Sequence, residues 1–255
     1  MYRSRKLAFT LIELLTVITV IAILAAILIP VVGNVRQKAD EATCLNNLRQ
    51  IGAGIGLYQS DHKGAFPAAV EGWPPADPKQ WFTQLEAYGL RFEPTRDLDV
   101  MRNQDWWYCP ACRDYQKQKG WGQPDYGANP ALFVNRAKTD GTPAGPASGI
   151  HLNKPINVVN LAQTVAIMET SSAGNPHLNN TWGALNVAVF INQPLPSTAS
   201  ETKEAGIAFR HPTRGSLDGT TCNMLFADLH VESVSHEDSR LQTRQGRQKL
   251  IYITE

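Results

Sequence analysis

The side chains able to do chemistry fall into three groups. The first is four cysteines, Cys44, Cys109, Cys112 and Cys222. Cys109 and Cys112 form C-x-x-C, but a four-cysteine zinc site would want a second pair at similar spacing, and Cys44 and Cys222 stand alone. A redox motif would need a thioredoxin-like setting, which the flanking sequence lacks. The preferred reading is a disulfide from Cys109 to Cys112 or to one of the others, ahead of free thiols and of metal. The second group is His211, Asp228, His230 and Glu232, readable as metal ligands or as an acid–base set. Turn chemistry and strand polarity explain them more simply. Among hard oxygen ligands, Asp218, Asp228, Glu237 and Asp238 would suit calcium, but no spacing singles them out. Weak metal candidates are Asp218, Asp228 and His230, with calcium the ion that suits their oxygens; no catalytic residue is assigned. The third is one acid, Glu13, inside an apolar run. Buried in a bilayer, a carboxylate costs up to about 3 kcal/mol and needs a cationic partner.

That run, Phe9 to Ile29, is FTLIELLTVITVIAILAAILI. At ~1.5 Å per residue it matches the ~30 Å hydrocarbon core of a bilayer. Arg3, Arg5 and Lys6 precede it with no acid among them, so the positive-inside rule places the N-terminus in the cytoplasm and the rest outside. A secretory signal peptide would have a shorter apolar run ending in an A-x-A-like site. Here the run ends in Pro30-Val31-Val32-Gly33, and the one small residue at a basic-to-apolar junction is Ala8, ahead of it.

Pro30 and Gly33 should kink the helix rather than end it, because a helical pattern resumes at once. From Asn34 to Ser60, Ala39, Ala42, Leu45, Leu48, Ile51, Ile55 and Tyr58 recur in steps of three and four, one face of an amphipathic helix packed on a domain. Gly64 is the expected cap at its end. IGAGIG, Ile51 to Gly56, does not fit a nucleotide-binding loop, since no strand precedes it and the third glycine is out of register. Small residues there more simply permit close packing.

Beyond residue 60 lie about 195 of the 255 residues, enough for one sizeable domain or two small ones. A net charge of +1 with 18% charged residues gives no field for nucleic acid. Five of the six tryptophans, Trp73, Trp81, Trp106, Trp107 and Trp121, crowd into residues 68–127. They suit an irregular core better than a sugar-stacking surface. A short helix is expected over Trp81–Leu90, ended near Gly89. Strands are expected at Ile156–Val159, Thr164–Met168 and Ala184–Ile191, with Gly206–Arg210 following a second loop. A two-residue hairpin turn at Asp228-Leu229 should join strands Asn223–Phe226 and His230–Val234.

KLAFTLIELLTVITVIAILAAILIP resembles the N-terminus of type IV pilins and type II secretion pseudopilins. The resemblance implies cleavage between Ala8 and Phe9 by prepilin peptidase and N-methylation of Phe9. Glu13, then fifth in the mature chain, would pair with the terminal amine of a neighbouring subunit. Ala8 stands where the family usually has glycine. CLNNLRQIGAGIGLYQSDHKGAFP, WWYCPAC and FRHPTRGSLDGTTCNMLFADLHVESV resemble a large-headed pilin-like family whose C-terminal signature is of the H-x9-DG type. Two departures stand out: Leu229 replaces the signature glycine, and about seven extra residues separate His211 from Asp228.

The resemblance implies an α+β, pilin-like fold, a long N-terminal helix packed on an antiparallel sheet head. The divisions are a leader at 1–8, a transmembrane helix at 9–29, an amphipathic helix at 30–60 and a loop-rich β head at 61–255. It implies a structural, non-enzymatic subunit of a secretion pseudopilus or a pilus-like filament. Its head would be periplasmic and its anchor a single pass through the inner membrane. The partners implied are prepilin peptidase, other copies and pilin-like subunits, an inner-membrane assembly platform and the bilayer, with no nucleic acid. The rival is a tethered, glycan-recognising head that never polymerises.

Overall fold

A computed structural model describes residues 10–68, 70–71, 79–91, 106–112, 125–129, 132–133, 158, 160–170, 207, 209, 211 and 219–251. One helix, α1, runs unbroken from Leu11 to Asp61. Its 51 residues correspond to about 77 Å at 1.5 Å per residue. It passes through Pro30 without ending, as a proline that costs one backbone hydrogen bond allows when both flanks hold helix. At its far end Gly64 N–H donates to Gln59 O (2.7 Å), and Lys63 (φ 55°) and Gly64 (φ 78°) are both left-handed. The position expected to be glycine is thus Lys63, with Gly64 one residue beyond.

The head follows from there. Strands β1 (Val70–Glu71) and β2 (Lys79–Gln80) form a small antiparallel pair, and a 3-10 turn covers Thr83–Tyr88, closed by Gly89 at φ 88°. The main sheet is antiparallel in the order β3 (Tyr126–Ala128), β4 (Val165–Glu169), β5 (Thr221–Phe226), β6 (Val231–Ser235). Two helices missed in the sequence, α2 (Ser239–Gln242) and α3 (Arg244–Ile251), complete it. The architecture is α+β and pilin-like. The strand regions expected at Ala184–Ile191 and most of Ile156–Val159 lie outside the described residues.

Both faces of the sheet are covered, which is why β4 and β5 are buried along nearly their whole length. In front, Leu48, Ile51, Ile55 and Tyr58 of α1 pack with Ile167 and Leu225. Trp81 and Trp107 are fully buried in this layer, their centroids 5.5 Å apart and edge to face, and Trp107 Nε1 donates to Arg91 O. Such a pair adds apolar area while its N–H finds a carbonyl. Behind, Met168, Cys222, Met224 and Phe226 pack with Leu241 and Leu250 of the last two helices. A register shift between Val165 and Ile167 lets Val165 and Met168, three apart, face the same rear layer.

Helix and head meet at a seam of glycines. A Cβ on Gly52 would lie 2.9 Å from Leu225 Cδ1, one on Gly54 2.5 Å from Leu90 Cδ1, and one on Gly56 3.1 Å from Leu229 Cδ1. IGAGIG is therefore a packing surface. The hairpin turn is three residues, Ala227-Asp228-Leu229, not two: Leu229 N–H donates to Phe226 O, and Phe226 N–H donates to His230 O. Leu229 is left-handed at φ 71°, costing about 1 kcal/mol relative to glycine, while its side chain packs against the front core near Gly56.

At the edge, Asp238 caps α2 through Arg240 N–H (2.8 Å), and Arg240 also grips Glu232 with two bonds. Those Arg240 contacts hold the Asp238 carboxyl below the usual carboxylate range. A depressed folded pKa gives stability that is full above about pH 4 and lost as pH falls through the lower folded value. With these groups 22 to 39% exposed the gain is well under ~1 kcal/mol. Acid denaturation curves should show Arg240→Gln less pH-sensitive than wild type below about pH 4. In the same assay Gly54→Val should lose about 1 to 3 kcal/mol by overpacking, whereas Gly33→Ala, with open space around it, should lose none.

Candidate functional site

Two regions carry candidate functional side chains, the start of α1 and a buried cluster beneath its second half. Thr10 caps the helix in an extended conformation, and its hydroxyl accepts from Glu13 N–H. In return Glu13 Oε2 accepts from Thr10 N–H (2.8 Å) and Oγ1 (2.6 Å), a reciprocal capping box. Thr16 and Thr19 return their hydroxyl protons to the carbonyls of Glu13 and Leu15. The threonine hydroxyls and one carboxylate oxygen of this segment are thus satisfied within the helix, as a lipid environment demands. Glu13 Oε1 makes no hydrogen bond among the described residues. Ala8 and Phe9 lie outside them.

From Leu11 to Val35 the apolar side chains are bare: Leu11 is 83% exposed and Ile29 73%. Burial begins at Cys44. The helix is long and apolar enough over its first part to cross a membrane, and it lacks there the covering that a soluble core helix would have.

The cluster under α1 draws on distant segments. Cys44 of α1 is disulfide-bonded to Cys109, 65 residues on, with Cα atoms 5.2 Å apart. The candidate pairing of Cys109 with Cys112 is corrected accordingly: Cys109 turns inward, its N–H held by Asp125 Oδ2 (3.0 Å), and faces the helix. Glu169, closing β4, receives His211 Nε2 at 3.0 Å on Oε1 and Asn223 N–H at 2.9 Å on Oε2. His211 Nε2 also lies 3.6 Å from Cys109 Sγ. His211 is seated by a bridge to Thr221, whose N–H donates to His211 O (3.0 Å). Cys44, Cys109, Glu169 and His211 are all fully buried.

The structure separates the histidines and acids grouped in the sequence. His230 pairs with Asp228 across the hairpin turn and stacks on Phe226, centroids 4.4 Å apart. Glu232 binds Arg240, and Asp238 caps α2; Asp218 lies outside the described residues. Sequence reasoning missed Glu169 altogether. An acid ending the otherwise apolar VAIME was the available signal.

Residues 3–29 match the model of the prokaryotic N-terminal methylation motif. The chain therefore carries a prepilin-type N-terminal segment. A ComG operon protein 3 homolog of Bacillus licheniformis is 41% identical over 63 residues, a stretch covering 25% of this chain and 65% of that relative. The chain thus spans a little under two thirds of the relative's length. No solved structure matches it. The motif match ends within α1, ahead of the head.

Opening the disulfide should loosen the grip of head on helix. A cross-link over 65 residues restricts the unfolded chain by roughly 4 kcal/mol on a chain-entropy estimate. Cys44→Ala with Cys109→Ala should lower unfolding stability by about 2 to 5 kcal/mol, read by denaturant titration of the detergent-solubilised chain, and added reductant should then have no further effect on it.

Proposed function

We propose that the chain is a structural subunit that waits in the cytoplasmic membrane, is cleaved after Ala8, is methylated on Phe9 and assembles through α1 into a pilus-like filament or a secretion pseudopilus. The observation that carries this reading is the division of α1: a bare apolar shaft with a single acid, Glu13, continuous with a half locked into the head. Lipid covers such a shaft before assembly and neighbouring shafts replace lipid afterwards, with little change in apolar exposure.

Glu13 sets the register. Its Oε2 is engaged by Thr10, and Oε1 would receive the methylated amine of an adjacent Phe9. A carboxylate at a packed apolar interface is tolerable only when paired, so one axial offset between helices is favoured over others. Arg3, Arg5 and Lys6 leave the head on the outer side, where a disulfide such as Cys44–Cys109 is at home. Trp81 and Trp107, being buried, lend no support to the glycan-binding alternative. The role is one of assembly, with prepilin peptidase, other pilin-like subunits and an assembly platform as partners.

Glu13→Ala should leave membrane insertion and cleavage intact and cut incorporation into sheared filaments by tenfold or more. Immunoblots of membrane and filament fractions read both. Unchanged incorporation contradicts the pairing, and loss of cleavage contradicts the assignment of Glu13 to assembly.

A further inference from the structure

The buried cluster offers four metal-capable atoms: two sulfurs, one carboxylate oxygen and one imidazole nitrogen, all within 4.8 Å of one another. Four segments deliver them, α1 with Cys44, the turn before residue 110 with Cys109, the end of β4 with Glu169, and the bridge beside β5 with His211. At metal–sulfur bonds of ~2.3 Å and metal–nitrogen or –oxygen bonds of ~2.0 to 2.2 Å, ligand atoms in a tetrahedron stand roughly 3.3 to 3.8 Å apart. His211 Nε2 lies 3.6 Å from Cys109 Sγ and 3.0 Å from Glu169 Oε1. Little movement is needed beyond parting the sulfurs.

We propose that, when the Cys44–Cys109 disulfide is reduced, Cys44, Cys109, Glu169 and His211 bind a thiophilic divalent cation of the zinc type. The reductant is a dithiol: it gives two electrons and two protons to the S–S bond and closes to its own disulfide. The cation then takes both sulfurs as thiolates, releasing those two protons, and binds neutral His211 through Nε2, its ring proton sitting on Nδ1. Glu169 contributes Oε1. Its Oε2 stays on Asn223 N–H (2.9 Å), and Asn223 Nδ2 stands 3.4 Å from Oε1. Donors of that kind orient a ligating carboxylate and temper the net charge of −1 that two thiolates and a carboxylate leave around a dication. Sulfur and imidazole select zinc over calcium or magnesium. The same four residues thus tie α1 to the head in two ways, by a covalent bond when oxidised and by a metal when reduced.

The test uses the full chain in detergent, reduced anaerobically with a dithiol and desalted before zinc chloride is added. One zinc per reduced chain is expected by elemental analysis, and none in the oxidised chain. Cobalt in its place should give thiolate-to-metal charge-transfer absorption. His211→Gln and Glu169→Gln should each weaken zinc binding at least tenfold, and Cys222→Ser and Cys112→Ser should not. Zinc should also raise the melting temperature of the reduced wild-type chain and leave the oxidised chain unchanged, a readout that needs no variant to fold. A reduced wild-type chain that takes up no zinc overturns the proposal, as does full affinity in His211→Gln or binding abolished by Cys112→Ser or Cys222→Ser.

Discussion

One helix answers to two solvents. α1 is continuous from Leu11 to Asp61, yet its first half presents apolar side chains on every side and its second half presents one apolar stripe to a protein core. Helical hydrogen bonding satisfies the backbone in both settings, so the chain changes environment without changing conformation. Everything else depends on that continuity, because any force on the shaft reaches the head only through the residues that bind the second half to the sheet.

Those residues act at three levels. The glycine seam at Gly52, Gly54 and Gly56 brings the helix close to Leu225, Leu90 and Leu229. The front core then excludes water with two buried tryptophans and the apolar face of β5. Finally the Cys44–Cys109 disulfide pins the helix to the loop ahead of β3. Leu229 illustrates the trade. A left-handed leucine is strained by about 1 kcal/mol, but glycine there would leave nothing over Gly56, and burying most of a leucine side chain is worth about 1.5 to 3 kcal/mol.

Much of this was legible in the sequence because it follows local rules. The apolar length of Phe9–Ile29, the three-and-four spacing from Leu45 to Tyr58, the glycine after Tyr88 and the paired strands around Asp228 each depend on near neighbours. The turn length at Leu229 and the cap at Lys63 missed by one residue, as positions that turn on a single φ do. The buried cluster was illegible for a different reason. Cys44, Cys109, Glu169 and His211 are separated by dozens of residues and meet only through tertiary structure, so spacing pointed to the nearer partner, Cys112. β3 was hidden by its brevity and by the glycine at its centre, and α3 by its polar composition.

The account's central claim is that α1 survives processing as the first element of the mature protein. Intact-mass and N-terminal peptide mass spectrometry of the chain from native membranes tests this most directly. The account predicts a polypeptide beginning at Phe9 with one methyl group on its amine and α1 complete. A mature chain that begins at Met1, or one that has lost the apolar shaft, would contradict it.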